Sequence, residues 1–327
     1  MVDLVKTLAK DLGIDAVGFY NLYDNRDSDF DTQVKSVFPS AKSIISFGYS
    51  YNFDWNQTDE SCDGYIAKYT TANFYKILSK KLQFIAKRVK SEINCSIPND
   101  KFFRIYVNSR INDKRAAFLS NLGYFSNNSL IFVNETGIKT ILGSIIIDYE
   151  FYTSKNKPTK DFCSNCNLCV ESCPTKAIGF DRSINKNHCI QHLSSQMILP
   201  DTINNKKIFD IWKNRFFGCS TCVDACPYFS KNIKTYSEEL VGFIGLTFDC
   251  ENVLTMRKED YKIRFANNQL SASWIPSVTL ARNGLINLFF NQKYNLMKEF
   301  YSNINYYNWN EFEKEFLISF IKNLLAL

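Results

Sequence analysis

The chain has 327 residues, of which 45% are hydrophobic and 22% are charged, proportions that are ordinary for a folded globular protein. This length predicts two or three domains with enough residues to bury a core. The formal net charge of +6 is too small to indicate a nucleic-acid partner by itself. No apolar run is long enough to cross a bilayer, so we expect a cytoplasmic protein with no membrane partner.

The N-terminal half alternates between helical and strand patterns. Apolar periodicity and turn residues predict a helix at 3–12, a strand at 15–20, a polar loop at 21–35, a doubly buried strand at 41–51, a helix at 72–92, a strand at 101–107, a helix at 113–121 and strands at 130–133 and 140–151. This order indicates an α/β or α+β domain, and we take α+β as the fold class.

Residues 161–229 carry the strongest signal in the sequence. DFCSNCNLCVESCP at 161–174 has the spacing C-x2-C-x2-C-x3-C-P, and GCSTCVDACP at 218–227 adds three cysteines after an isolated Cys189. This pattern is typical of bacterial ferredoxins with two [4Fe–4S] clusters, in which the fourth cysteine of a run ligates the other cluster. The predicted ligands are Cys163, Cys166, Cys169 and Cys226 for cluster A, and Cys173, Cys189, Cys219 and Cys222 for cluster B.

Two other interpretations of these cysteines, as zinc ligands or as disulfides, have weaker support in the sequence. Zinc sites also use paired C-x2-C motifs, but the first run has too many thiolates in one short loop for one tetrahedral ion. A disulfide framework would need an oxidising compartment, and the N-terminus does not resemble a signal peptide. The three cysteines outside the frame, Cys62, Cys95 and Cys250, are predicted to be small buried hydrophobic residues.

The C-terminal part is predicted to be helical. Helical patterns cover 255–265 and 277–291, and an amphipathic pattern covers 309–327, with Phe312, Phe316, Ile318 and Phe320 on its apolar face. We expect this last helix to dock on its own domain, with a membrane surface as the alternative. The predicted domains are 1–157, 158–235 and 236–327.

Several segments outside the cysteine frame point to a family. They are LGIDAVGF at 12–19, PSAKSIISFGYSY at 39–51, IAKYTTANFY at 66–75, VNSRINDKRAAFLSNLGYFSNNSLI from Val107, CIQHLSSQ from Cys189, RFFGCSTCVDACP from Arg215 and RFANNQLSASWIPSVTLARNGLINL from Arg264. In this order they resemble the epoxyqueuosine reductases, the cobalamin-dependent iron–sulfur enzymes of queuosine tRNA modification.

The resemblance implies a fold and a chemistry. Residues 1–157 would form a nitroreductase-like, corrinoid-binding domain, 158–235 a two-[4Fe–4S] ferredoxin-like domain, and 236–327 a helical C-terminal region. Electrons would pass from an external donor of the flavodoxin or ferredoxin type through both clusters to cobalamin. The reduced cofactor would drive removal of the epoxide oxygen from epoxyqueuosine, with tRNA as a partner.

One position departs from the family where it matters most. The family's proton donor is the aspartate of a V-D-S motif, and this chain has Asn108 there, whose neutral amide cannot donate a proton at accessible pH. Neighbouring family positions have also changed, which indicates a paralogue with a different substrate; they hold Phe74, Ile111, Ser126, Asn127 and Gln191. By position, the resemblance implies corrinoid contacts at Asn108, Arg115, Asn128, Ser129, Gln191 and Ser194.

Few residues are candidates for a replacement acid. Asp113 follows Asn108 by five residues and need not face the same way, so we expect it to be a helix N-cap. His188 and His192 flank Cys189, and histidine titrates near neutrality. Structural or surface roles are favoured for both, although His192 lies in the segment that resembles the corrinoid contact.

Three functions remain open. The first is a cobalamin-dependent reductase like the epoxyqueuosine reductases, with the same or an altered substrate. The second is a two-cluster electron-transfer protein or redox partner without epoxide reductase activity of its own, which Asn108 favours. The third, a tRNA-binding protein without turnover, ranks last because the chain has no concentrated basic stripe.

Overall fold

The computed structural model describes residues 1–53, 62–151, 161–200, 206–228, 234, 240–307 and 309–325. In the N-terminal half the elements are α1 (Val2–Asp11), β1 (Ala16–Asn21), α2 (Ser28–Val37), β2 (Ser43–Ser50), β3 (Gly64–Ile66), α3 (Phe74–Glu92), α4 (Asn99–Phe102), β4 (Phe103–Tyr106), α5 (Asp113–Leu119), β5 (Gly123–Phe125), β6 (Ile131–Val133) and β7 (Thr140–Ile147). Most of these elements match the predicted ones in type and position.

A four-stranded antiparallel sheet, in the order β1-β2-β7-β4, is the centre of this half. All eight residues of β2 are buried, as predicted for a strand with both faces covered. Because successive side chains of a strand point to opposite faces, Ile45 packs with α1 and α3 while Ile44 packs with α2 and α5. The sheet is therefore covered by helices on both sides.

The prediction of a polar loop at 21–35 is wrong, because α2 begins inside that segment. Asp27 is its N-cap and accepts a hydrogen bond from the backbone N–H of Phe30. Phe30 and Val34 are buried on the sheet, and the phenol of Tyr20 donates a hydrogen bond to the buried carboxylate of Asp31. This acidic segment therefore forms a helix with one buried face.

The later elements are α6 (Leu168–Ser172), α7 (Ile190–Leu193), α8 (Lys206–Trp212), β8 (Arg215–Phe217), α9 (Thr221–Asp224), β9 (Thr247–Phe248), α10 (Cys250–Thr255), α11 (Lys258–Arg264), α12 (Ser277–Phe290), α13 (Tyr294–Asn303) and α14 (Glu311–Leu325). Strand β3 pairs in parallel with β8 and antiparallel with β9, which ties the N-terminal half to the rest. The predicted domain boundaries near 157 and 235 lie outside the described residues and stay predictions, as does the nitroreductase-like character of the first domain.

One hydrophobic core joins the segment after Cys189 to the C-terminal helices. It includes Leu193 of α7, Trp212 of α8 and Phe216 of β8 together with residues of α10, α12, α13 and α14. The last helix docks on this core as expected, although its buried residues are Leu317, Phe320, Ile321 and Leu324, and the predicted Phe312 is 60% exposed. No helix within the described ranges is long and apolar enough to span a bilayer.

Candidate cluster and cofactor site

The eight cysteines of the frame form two groups around the short helices α6 and α9, which pack against each other. Burial, together with Cys163, Cys166 and Cys226 nearby, raises the pKa of Cys169 to about 11. These neighbours are the residues predicted to share cluster A. Iron binding requires thiolates, so the mutual repulsion that raises this pKa would be relieved by the cations of a cluster.

A cysteine of the second group also has a raised pKa. Burial and the nearby Cys219, Cys189, Cys169 and Cys173 raise the pKa of Cys222 to about 12. Apart from Cys169, these are the predicted partners of Cys222 in cluster B, and the contact with Cys169 brings the two groups side by side. Ligation of iron by either set stays a prediction.

The structure gives the state and the exposure of all eleven cysteines. All eleven are free, and Cys250 alone of the three outside the frame is fully buried, since Cys62 and Cys95 are partly exposed. In the part of the chain that the structure describes, no three Cys, His, Asp or Glu side chains converge to bind a single metal ion.

Hydrogen-bond donors surround the sulfurs of the second group. The backbone N–H of Ala177 donates to Cys173 Sγ at 3.2 Å, and the hydroxyl of Thr221 lies 3.4 Å from Cys219 Sγ. Backbone N–H groups of α7 also reach the Cys189 sulfur and oppose the effect of burial on its pKa. Such donors stabilise negative charge on a thiolate and favour the reduced state of a cluster.

Asn127 is a structural residue that the sequence did not reveal. Its side-chain N–H group donates to the carbonyl oxygen of Cys163, at 2.9 Å, and to that of Cys166. The buried amide therefore holds the first cluster loop against the N-terminal domain. In the sequence this position was visible only as the loss of a lysine that the family has.

A cavity of about 270 Å³ lies beside the second group. All four predicted cluster B cysteines line it, together with Tyr51, Tyr69, Tyr75, Asn128 and Gln191. Asn128 is 1% exposed, and its side-chain Nδ2 has no hydrogen-bond partner. A buried amide donor of this kind can be satisfied by a water molecule or by an acceptor on a molecule bound in the cavity.

The residues predicted to contact a corrinoid do not all lie together in the structure. Asn128 and Gln191 line the cavity beside cluster B. Ser194 does not, because it is fully buried and its hydroxyl accepts a hydrogen bond from the N–H of Gly218 at 2.9 Å. Arg115 forms an ion pair with Asp27 at the start of α2.

Two further predicted residues also lie away from the lining of this cavity. Ser129 uses its carbonyl oxygen to accept a hydrogen bond from Lys114 at 2.9 Å. His192 is partly buried on α7, and burial lowers its imidazole pKa below the usual value. Neither side chain is among those that line the cavity beside cluster B.

A second cavity, of about 440 Å³, lies around Asn108. Its walls carry amide groups and one indole: Asn73, Lys76, Val107, Asn108, Asn267, Asn268, Gln269 and Trp274 are among its residues. Tyr75 lines both this cavity and the one beside cluster B. Tyr75 is thus shared between the cavity beside the predicted cluster B ligands and the polar cavity that contains Asn108.

The prediction that Asp113 caps α5 is wrong. The N-cap is Asn112, whose side chain accepts from the N–H of Arg115 at 3.1 Å. Asp113 Oδ2 instead accepts from the backbone N–H of Asn108 at 2.6 Å, and its Oδ1 is buried without a partner. Asn108 has a φ of 48°, and this left-handed turn points its N–H back at the carboxylate. Burial raises the Asp113 pKa to about 7.

Comparison with known proteins gives two family matches. Residues 162–229 match the 4Fe-4S double cluster binding domain, and residues 32–109 match the family described as Epoxyqueuosine reductase QueG, DUF1730. The chain therefore carries a double-cluster iron–sulfur domain. The epoxyqueuosine reductase of Cyclobacterium marinum is 32% identical over 210 residues, which cover 63% of this chain and 64% of that protein.

Solved structures share the fold along almost the whole chain. Epoxyqueuosine reductase from Streptococcus thermophilus superposes with a TM-score of 0.78 at 19% identity, covering 99% of this chain and 90% of the other. A second epoxyqueuosine reductase, solved with an epoxyqueuosine-modified tRNA stem loop, superposes with a TM-score of 0.74 at 19% identity, covering 99% and 98%. Over the matched segments the chain is similar in sequence to the epoxyqueuosine reductases, and it shares their fold.

Proposed function

We propose that the protein is a cobalamin-dependent iron–sulfur reductase that acts on epoxyqueuosine in tRNA or on a related modified nucleoside. Its partners are tRNA and an external electron donor of the flavodoxin or ferredoxin type, in the cytoplasm. The observation that carries the proposal is the pair of cavities that meet at Tyr75. One contains the predicted cluster B ligands and the other contains Asn108.

The residues present fit a corrinoid in the first cavity. Asn128 offers an unpartnered amide donor, and Gln191 would present its side chain to the same space while it accepts hydrogen bonds from the phenol of Tyr69 and the N–H of Cys219. Cobalamin, when bound in this cavity, would supply a strongly reducing cobalt centre beside the predicted cluster B. Tyr51, Tyr69 and Tyr75 give the chamber an aromatic, largely dry wall.

Polar groups in the second cavity suit a nucleoside. The amides of Asn73, Asn267 and Gln269 offer hydrogen-bond donors and acceptors to base edges, and Trp274, which is 57% exposed, offers a face for stacking. Tyr75, which lines both cavities, is placed to contact a substrate bound in the second one.

A second candidate is an electron-transfer protein that passes electrons to another enzyme. It is favoured by Asn108, since general acid assistance contributes about 10²- to 10⁴-fold in rate and a neutral amide does not provide it. On this alternative the clusters are reducible but the cavity beside cluster B binds no corrinoid.

The deciding experiment is anaerobic reconstitution of the clusters, addition of cob(II)alamin and electron paramagnetic resonance spectroscopy. We expect a cobalt signal that differs from that of the free cofactor and has lost base coordination. The Asn128→Leu variant removes the unpartnered amide and is expected to weaken cofactor binding, whereas Asn187→Leu, at an exposed site, should not. An unchanged cobalt signal beside two reducible clusters would contradict the reductase proposal and leave the electron carrier.

Turnover is tested separately. The loaded protein, a chemical reductant and an epoxyqueuosine-modified tRNA stem loop are incubated without oxygen, and nucleosides are measured by mass spectrometry. Conversion of epoxyqueuosine to queuosine supports this substrate. Bound cobalamin without conversion would contradict epoxyqueuosine as the substrate.

A further inference from the structure

The cavity around Asn108 lacks an acid at the position where relatives have one, yet a carboxyl group lies directly behind it. Asp113 accepts a hydrogen bond from the Asn108 backbone N–H through Oδ2. Its other oxygen, Oδ1, is buried and has no partner. The carboxyl group thus has one fixed oxygen and one oxygen available for a proton.

The surroundings of Asp113 disfavour its ionised form. Among the described residues no basic side chain pairs with it, and its neighbour Lys114 donates its ammonium group to the carbonyl oxygen of Ser129. The strands packed against α5 are β1, β2, β5, β6 and β7, and none of them contains an acidic or basic residue. An ionised carboxylate that is buried without a counter-ion is costly, so the group retains its proton to higher pH.

Tyr75 lies near this carboxyl group and lines both cavities. It lies on α3, lines the cavity beside cluster B as well as the Asn108 cavity, and is close enough to Asp113 for the carboxylate charge to raise its pKa. Burial is the larger cause and brings the Tyr75 pKa to about 12. The phenol therefore stays protonated at neutral pH, and it can relay a proton without remaining ionised. Lys76, the next residue, is the charged group that shares the Asn108 cavity.

We propose that Asp113 has taken over the proton supply that the family's aspartate provides, and that it acts from behind Asn108 through Tyr75. This inference rests on the proposed reductase function. Reductive removal of an epoxide oxygen needs two electrons, which an external reductant would supply by way of the clusters and the cofactor. Two C–O bonds break, a carbon–carbon double bond forms and the oxygen leaves as water with two protons. Asp113 supplies one proton and is reprotonated from solvent.

The first test needs no turnover. Infrared difference spectra of the cluster-loaded protein between pH 6 and pH 8 should contain the band of a carboxylic acid that ionises with a midpoint near pH 7. This band should disappear in Asp113→Asn, which keeps an oxygen to accept the Asn108 N–H, and should persist in Asp29→Asn, an exposed control on α2. If Asp113→Asn leaves the spectrum unchanged, Asp113 holds no proton there and the proposal is overturned.

The second test uses the epoxyqueuosine-modified tRNA stem loop in single-turnover experiments. Wild-type protein should lose activity as the pH rises through about 7, and Asp113→Asn should be about 10²- to 10⁴-fold slower with that pH dependence removed. Adding Asn108→Asp to Asp113→Asn should restore turnover, because it returns an acid to the family position. Equal rates and equal pH profiles for wild type and Asp113→Asn would overturn the proposal. If wild type does not convert the stem loop, the reductase assignment to this substrate fails, and the infrared spectra alone decide the proton-holding role.

Discussion

The side-chain amide of Asn127 donates a hydrogen bond to the carbonyl oxygen of Cys163 at 2.9 Å, and so fixes a predicted cluster ligand to a loop of the N-terminal domain. A second bond to the carbonyl of Cys166 strengthens this attachment. Asn127→Ala leaves the buried carbonyl oxygen of Cys163 and the partly buried one of Cys166 without their donor, at a cost of about 1–3 kcal/mol for the buried group and less for the other. We expect the variant to lose cluster A preferentially and to retain about half of the iron after reconstitution. Iron analysis with spectroscopy of the reduced protein measures this, and exposed Asn187→Ala is the control. Full iron content in Asn127→Ala would contradict the role.

Gly218 permits the turn that presents Cys219 to cluster B. Its φ is +80°, and a Cβ there would lie 2.8 Å from Ala67 Cβ and from the Tyr69 phenol oxygen. Gly218→Ala combines backbone strain with these contacts, and we expect it to destabilise the fold by more than about 2 kcal/mol. Gly245 has a φ of +85° but open space around its Cβ position, so Gly245→Ala measures the backbone strain alone. Denaturant unfolding compares the two variants, and equal losses would show that the contacts around Gly218 are unimportant.

The hydroxyl of Thr221 is oriented toward Cys219. It accepts a hydrogen bond from Arg215 at 3.0 Å, which leaves its own hydrogen to donate to the sulfur 3.4 Å away. Because this bond favours the more negative reduced cluster, Thr221→Val should lower the reduction potential of cluster B and leave that of cluster A unchanged. Thr221→Ser keeps the hydroxyl and should keep the wild-type potential. A redox titration followed by electron paramagnetic resonance gives both potentials, and identical values for Val and Ser would refute the hydrogen bond.

Part of this site could be predicted from sequence and part could not. The eight-cysteine frame has a spacing that few other structures use, so its two groups were predictable. Asn112 and Asp113 are both good helix caps by residue type, and the sequence could not tell which one caps α5. The choice depends on the left-handed turn at Asn108, which directs its backbone N–H at the carboxylate of Asp113. Tyr75 matched the family motif, but its position between two cavities depends on segments far apart in the chain.

The raised pKa of Asp113 has a consequence for stability. Its pKa of about 7 in the folded protein lies above the ordinary value of 3.8, so the folded protein binds this proton more tightly than the unfolded chain does. The resulting stabilisation is fully present below pH 3.8 and is lost as the pH rises through 7. Between pH 6 and pH 8 wild type should lose about 1.4 kcal/mol from this group, a loss that Asp113→Asn should not have. Urea unfolding of the loaded protein at both pH values measures the difference. Parallel pH dependence in the two proteins would mean that the carboxyl group is already ionised at pH 6.

Arg282 of α12 holds the segment after Cys189 in place. It is fully buried, lies 5.5 Å from the Trp212 ring centroid, and donates to the carbonyl oxygens of Leu193 and Gln196 at 3.0 and 2.8 Å. Burial lowers its pKa to about 9, yet the guanidinium remains charged at neutral pH. Because Lys has fewer donors and no planar fork, Arg282→Lys should cost about 3–5 kcal/mol and release cluster B during reconstitution, whereas exposed Arg88→Lys should cost almost nothing. Unfolding and iron analysis measure both effects. If Arg282→Lys kept full stability and both clusters, charge alone would account for the role of Arg282, and the multidentate contact with these carbonyls would be dispensable.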